Sequence, residues 1–176
     1  MRILVAYASK HGSTEEIAEF IGKTISDSGL DVDVCSISAV TNLTDYDGVI
    51  IGSAVYAEQW RPEVAQFMRL RVDVLAEKPV WLFSSGPTGH GKATDLLGGF
   101  LFPNNLEPYR QKIAPQDTVI FHGNLDLTKL TLAELMIVNG YGGPLGDYRH
   151  WETIRQWADN IVTTLARIQA NPTASV

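Results

Sequence analysis

A short polar segment rich in hydroxyl groups lies between an apolar run, Ile3–Ala8, and the first helical pattern of the chain. This segment, the phosphate loop below, consists of Ser9, Lys10, His11, Gly12, Ser13 and Thr14. Its hydroxyls and N–H groups are hydrogen-bond donors, and the following helix adds unpaired N–H groups and the positive end of its dipole. Glycine lets the backbone approach a ligand closely. The loop therefore predicts a phosphate site, in which each charge-assisted hydrogen bond contributes about 1.5–3 kcal/mol.

Two familiar phosphate motifs are absent from this loop. It lacks the Gly-Lys-Ser/Thr ending of a P-loop and the G-x-G-x-x-G pattern of dinucleotide-binding folds. An ordinary helix start is the alternative interpretation, because Ser13 and Glu16 have the spacing of a capping box. Two further loops in the chain favour the phosphate site over this alternative.

The elements that position the phosphate loop follow from hydrophobic periodicity. Apolar runs and alternating patterns predict five strands, at Ile3–Ala8, Asp31–Ile37, Val49–Gly52, Pro79–Ser84 and Thr118–His122. Apolar residues at helical spacing predict helices that begin at Ser13 and Pro62, and two more at Thr128–Asn139 and His150–Ile168. Because strands alternate with helices, we expect an α/β fold, a three-layer sandwich whose parallel sheet carries helices on both faces.

Two more loops follow predicted strands, where ligand-binding loops lie in open α/β sheets. The second loop lies within Gly52–Phe67 and includes Ala54, Val55, Tyr56 and Trp60. The third loop follows the fourth strand and includes Ser85, Gly86, Pro87, Thr88 and Gly89. With these three loops the chain resembles flavodoxins over nearly its whole length, and His11 in place of a threonine is the departure in the phosphate loop. Flavodoxins are themselves an example of the rule about strand ends.

The resemblance implies a five-stranded parallel sheet in the order 2-1-3-4-5 and a non-covalently bound FMN. It implies that the phosphate loop binds the FMN phosphate and that the other two loops hold the isoalloxazine ring. Tyr56 and Trp60 are the candidates to stack on the ring, and a hydrophobic anchor between loop and helix is the alternative role of Trp60. The stretch Ser53–Gln59 contains no glycine, which implies a costlier peptide flip and a preference for two-electron chemistry.

Among flavodoxin-like proteins, the chain resembles the branch that includes menaquinone-dependent protoporphyrinogen oxidase. The segments that carry this similarity are Ile3–Thr14, Gly52–Phe67 and Tyr148–Ile161. The resemblance implies an FMN-dependent oxidoreductase linked to a quinone or to protoporphyrinogen. The alternative is an electron-transfer protein that shuttles electrons between redox partner proteins. A flavin-free binding module is a third hypothesis, and the nearly complete phosphate loop argues against it.

Length and composition limit the remaining classes. The 176 residues predict one domain over residues 1–170 and a disordered tail at 171–176. The net charge of −6 argues against nucleic-acid binding, and the four histidines show no metal-ligand spacing. No apolar run is long enough to span a membrane and no signal peptide is recognisable, so we expect a cytoplasmic protein. The apolar stretch Leu96–Phe102 is predicted to pack in the core, with peripheral membrane contact as the alternative.

Overall fold

The computed structural model describes residues 1–133, 135, 136 and 144–171. The five long strands of its main sheet run parallel. Its strands are β1 (Arg2–Ala8), β2 (Asp31–Ser36), β3 (Gly48–Tyr56), β5 (Val80–Ser85) and β6 (Asp117–Phe121). In space they lie in the order β2-β1-β3-β5-β6. When the five predicted strands are numbered in sequence, this is the 2-1-3-4-5 order, so the predicted α/β fold and strand order are confirmed.

Short strands extend the sheet at the edge where the predicted loops lie. Strand β4 (Gln59–Trp60) turns back and pairs antiparallel with the end of β3. Strands β7 (Asn124–Leu125) and β8 (Gly146–Asp147) form a separate antiparallel pair. Strand β3 is longer than its prediction because its last residues belong to this hairpin.

Helices cover both faces of the sheet. Those that lie wholly within the described residues are α1 (Ser13–Asp27), α2 (Pro62–Ala76), α3 (Ala93–Leu96), α4 (Glu107–Ile113) and α5 (Trp151–Ala170). The predictions for α1, α2 and α5 are confirmed to within about two residues at each predicted end. Helices α3 and α4 were not predicted, because one or two turns are too short to show helical periodicity.

Strand β1 shows how the core is divided. The side chains of Ile3 and Val5 are fully buried in the cluster that includes α1 and α5. Leu4 and Ala6, equally buried, enter the cluster on the opposite face, which includes α2. Since neighbouring residues of a strand point to opposite faces, β1 is apolar throughout. The two apolar clusters hold the five strands in place. Because these strands are parallel, their carboxyl ends all lie at one edge of the sheet.

The predicted helix over 128–139 begins later than expected. Residues Leu127–Lys129 form a 3-10 turn instead, in which the Asp126 carboxylate accepts a hydrogen bond from the Thr128 N–H at 2.9 Å. Residue 134, residues 137–139 of this predicted helix and tail residues 172–176 lie outside the described residues. Among the helices of the described part, none is long and apolar enough to cross a membrane.

Candidate functional site

A cavity of about 490 Å³ opens at the carboxyl ends of β1, β3 and β5. This volume lies within the range of roughly 300–1,000 Å³ that is typical of small-molecule sites. The structure brings twelve of the predicted site residues to its wall: Ser9, Lys10, His11, Ser13, Thr14, Ala54, Val55, Tyr56, Trp60, Ser85, Gly86 and Thr88. The other three, Gly12, Pro87 and Gly89, belong to the same loops but do not line the cavity.

The phosphate loop lies at the cavity wall and is closed by an internal hydrogen bond. Gly12 has a φ of +89°, in the left-handed region that favours glycine. Its N–H donates to the Ser9 hydroxyl oxygen at 3.0 Å, which closes the loop, and Thr14 is only 1% exposed. Helix α1 begins directly after Gly12, so the N–H groups of its first turn have no partner within the helix. This arrangement presents several neutral donors at one point.

The alternative interpretation, a capping box formed by Ser13 and Glu16, is wrong. Gly12, not a serine, occupies the N-cap of α1, and no side chain caps the helix. The Ser13 hydroxyl oxygen instead accepts a hydrogen bond from the Asn124 N–H at 3.1 Å. Ser13 therefore ties the start of α1 to the segment after β6, and the first-turn N–H groups stay available to a ligand.

The second loop is a tight hairpin between β3 and β4. Its two turn residues, Ala57 and Glu58, have φ values of +47° and +58°, which are strained for residues other than glycine. Trp60 is 4% exposed and its indole N–H donates to the Ser84 hydroxyl oxygen at 2.8 Å. Its ring packs edge-on against Phe102, with the ring centroids 4.7 Å apart. Tyr56, by contrast, is 45% exposed at the cavity.

The third loop is held against the end of β6 by backbone hydrogen bonds. The Gly86 N–H donates to the Phe121 carbonyl at 3.2 Å, and the Gly123 N–H donates to the Pro87 carbonyl at 2.9 Å. Gly89 has a φ of +131° and is buried. These contacts fix the backbone of the third loop, from which Ser85, Gly86 and Thr88 line the cavity.

A protein-family model described as the flavodoxin domain matches residues 4–140 of the chain. The chain belongs to the flavodoxin-domain family. Its cofactor is accordingly FMN, and the chain is a flavodoxin-like electron-transfer protein with a redox partner.

Solved structures share the fold of this flavodoxin-domain protein at low sequence identity. A flavodoxin from the domain Archaea is 16% identical with a TM-score of 0.64, over 94% of this chain and 99% of the other. Oxidised flavodoxin 1 from Bacillus cereus is 16% identical with a TM-score of 0.58, over 93% and 98%. Rubredoxin oxygen:oxidoreductase from Desulfovibrio gigas is 18% identical with a TM-score of 0.61, over 98% of this chain but 37% of the enzyme.

The residues around the cavity fit FMN. A dianionic phosphate needs converging donors, and the unpaired N–H groups after Gly12 supply them at one end. A flat apolar ring needs apolar walls, and Val55, Tyr56, Leu125 and Leu130 supply them at the cavity. When bound, FMN supplies the redox chemistry, while the protein supplies binding, orientation and electrostatics.

The strained turn of the second loop gives a first prediction. Replacing Ala57 by glycine is expected to raise the free energy of unfolding by up to about 1 kcal/mol, because glycine adopts the left-handed region without strain. Because its peptide is freer to flip, the glycine variant is also expected to change the difference between the two one-electron reduction potentials of bound FMN. The expected change is about 60 mV, which corresponds to a tenfold change in a one-electron equilibrium constant. Chemical unfolding and anaerobic potentiometry measure the two effects.

The matched control is Ala114→Gly at the end of α4, where φ is +50° and no cavity residue is involved. It should raise stability similarly and leave both potentials unchanged. Unchanged potentials in Ala57→Gly as well would contradict a role of this turn at the flavin.

His122, next to the third loop, is a buried imidazole that was not predicted as a site residue. It is 8% exposed, it hydrogen-bonds to the Gly91 backbone, and its Nε2 has no hydrogen-bond partner within the described residues. Burial lowers its pKa below the ordinary 6.5, and the neighbouring His150 lowers the pKa further. The two ring centroids are 5.2 Å apart.

This lowered pKa predicts acid destabilisation. The unfolded chain binds a proton at His122 more readily than the folded chain does. The folded state therefore loses no stability through His122 above about pH 6.5, and it loses stability as the pH drops below that value. Unfolding free energies measured from about pH 8 to about pH 5 should therefore decline, and less steeply in His122→Gln. His90→Gln, in an exposed loop position, is the control and should keep the wild-type slope. A parallel decline in His122→Gln would refute this origin.

Sequence reasoning missed one wall of the cavity. The additional lining residues are Gln59, Arg61, Pro62, Gly123, Asn124, Leu125, Asp126 and Leu130. The first three are neighbours of the predicted residue Trp60 in the chain, and this proximity could have indicated them. The segment 123–130 carries no motif, and only the strand β6 that precedes it indicates that it reaches the same edge. Among the described residues, no group of three or more His, Cys, Asp or Glu side chains could hold a metal ion.

Proposed function

We propose that this flavodoxin-domain protein is an FMN-dependent oxidoreductase whose electron acceptor is a quinone. In this proposal the phosphate loop, Ser9–Thr14, binds the FMN phosphate, and the ring lies between the second and third loops. Tyr56 is the residue that stacks on the ring, because Trp60 is buried against Phe102 and Ser84. The backbone of Ser85–Gly89 hydrogen-bonds to the polar edge of the ring.

The observation that carries the quinone proposal is a set of apolar side chains that line the cavity or belong to segments next to it. Leu125 and Leu130 line the cavity, and Leu127 between them is 39% exposed. Leu96 is 42% exposed. Leu96 and Pro144 both lie next to Gly89 of the third loop, within 4 Å of where a Cβ atom on this glycine would be. Exposed apolar side chains beside a ligand site suit an apolar ligand. A quinone ring has this character, and it takes up two electrons and two protons to become a quinol.

Reoxidation of the reduced holoprotein tests this proposal. Protein reduced anaerobically with one equivalent of dithionite is mixed with a short-chain naphthoquinone or with a basic cytochrome. We expect the quinone to reoxidise the protein faster, with saturation. Leu130→Gln should raise the quinone concentration at half-saturation about three- to tenfold, because an apolar contact with the quinone is lost. Leu70→Gln, on α2 and 72% exposed away from the cavity, is the matched control.

Faster reoxidation by the cytochrome, without saturation by the quinone, would favour the second candidate, a carrier between protein partners. The net charge of −6 supports that candidate, because an acidic surface attracts a basic partner. Protoporphyrinogen is the electron donor to assay first, since the resemblance to menaquinone-dependent protoporphyrinogen oxidase suggests it. A cytoplasmic location and peripheral membrane contact stay predictions from the sequence.

A further inference from the structure

A cluster of four charged side chains lies beside the phosphate loop. Glu16, in the first turn of α1, forms ion pairs with Arg149 at 2.6 Å and with Lys129 at 3.7 Å. The Arg149 side chain is 4% exposed and also pairs with Asp147 at 2.6 Å, so two carboxylates fix it. The Lys129 side chain is 44% exposed and its contact with Glu16 is long. Of the two cations, Lys129 is therefore the one that can turn toward a ligand.

The cluster is close to the centre of the phosphate loop. A Cβ atom built on Gly12 would lie 3.6 Å from the Lys129 ammonium nitrogen and 3.8 Å from a Glu16 carboxylate oxygen. Lys129 reaches this position from the 3-10 turn after β7, in the segment that the Asn124 N–H ties to Ser13. Fold and hydrogen bonding thus hold the Lys129 ammonium group next to Gly12 in the phosphate loop, in addition to Lys10 of the loop itself.

From this placement we propose that Lys129 binds the FMN phosphate and that Glu16 restrains it in the unliganded protein. The proposal rests on the assignment of the phosphate to Ser9–Thr14. A dianion beside Gly12 attracts the ammonium group and repels the carboxylate, so Lys129 exchanges a long ion pair with Glu16 for a contact with phosphate. Arg149 keeps its ion pair with Glu16 and compensates the negative charge of this carboxylate after Lys129 has moved away.

The proposal predicts opposite effects for the two partners. Lys129→Met should weaken FMN binding about tenfold, the lower range for a hydrogen bond to a charged group. Glu16→Gln should strengthen FMN binding about threefold, because the carboxylate no longer competes with phosphate or repels it. Riboflavin, which lacks the phosphate, should bind all variants equally. Both FMN effects should shrink at about 1 M NaCl, where charges are screened within about 3 Å.

Different results are expected if the ion pair between Lys129 and Glu16 is only structural. If Lys129 and Glu16 only stabilised α1, both variants would lower the melting temperature and neither would change the ratio of FMN to riboflavin affinity. Lys23→Met is the matched control, because Lys23 pairs with Asp27 at the far end of the same helix. It should leave the affinities for both flavins unchanged.

Calorimetric titration of each apoprotein with FMN and with riboflavin decides the matter, with circular dichroism to confirm folding. Weaker FMN binding in Lys129→Met and stronger binding in Glu16→Gln, with constant riboflavin binding, support the proposal. Wild-type affinity for FMN in Lys129→Met overturns it and leaves the proposed function standing. A wild-type protein that does not distinguish FMN from riboflavin overturns both, because then the loop binds no phosphate.

Discussion

Removal of two hydroxyl groups from the phosphate loop is expected to abolish tight FMN binding. Ser9→Ala/Thr14→Ala should weaken it by about 100-fold or more, since each hydrogen bond to a charged group contributes about 1.5–3 kcal/mol. Thr14 is 1% exposed at the start of α1, and the Ser9 hydroxyl also holds the Gly12 N–H. The double variant thus loses phosphate contacts and part of the order of the loop.

Quenching of flavin fluorescence during titration of the apoprotein measures this loss. Thr163→Ala/Thr164→Ala is the matched control, because both hydroxyls donate to carbonyls of their own helix α5. The control should bind FMN like the wild type. If Ser9→Ala/Thr14→Ala binds FMN as tightly as the control while remaining folded, the phosphate is bound elsewhere.

The second large effect concerns the close approach of two backbone segments. A Cβ atom on Gly123 would lie 2.9 Å from the Gly86 carbonyl oxygen, a contact that no side-chain rotation relieves. Gly123→Ala is expected to lower the free energy of unfolding by about 1–3 kcal/mol, the usual cost of overpacking. It should also push the third loop out of position and weaken FMN binding about tenfold, which corresponds to about 1.4 kcal/mol.

Urea unfolding and FMN titration of the same variant measure the two effects together. Gly48→Ala is the control, because its added methyl group meets movable side-chain ends, Ile3 Cδ1 at 3.2 Å and Leu165 Cδ2 at 3.3 Å. It lies at the start of β3, far along the strand from the cavity, and should leave FMN binding intact. Unaltered FMN affinity in Gly123→Ala would show that the third loop does not contact the cofactor.

Local sequence patterns were sufficient for the sheet and for most of the cavity wall. The apolar run of β1 predicts a strand buried on both faces, and Ile3, Leu4, Val5 and Ala6 are all fully buried. Ligand-binding loops follow strands in this fold, so three segments after predicted strands, together with the resemblance to flavodoxins, indicated the site. The strand predictions depend only on residues near one another in the chain, whereas the strand order came from the resemblance to flavodoxins.

Interactions between distant segments were not predictable in this way. The spacing of Ser13 and Glu16 is that of a capping box, yet Ser13 binds Asn124 and Glu16 binds Arg149 and Lys129. The partners lie more than a hundred residues away, and no local pattern marks them. The role of Trp60 depends likewise on Ser84 and Phe102, which bury a ring that the sequence also allows to stack on a ligand.

The direct test of the whole account is a paired titration of the wild-type apoprotein with FMN and riboflavin. Donors gathered after β1 should give FMN a dissociation constant at or below the micromolar range and at least about 100-fold below that of riboflavin, a difference of about 2.7 kcal/mol. Equal affinity for the two flavins, or no affinity for either, would contradict it.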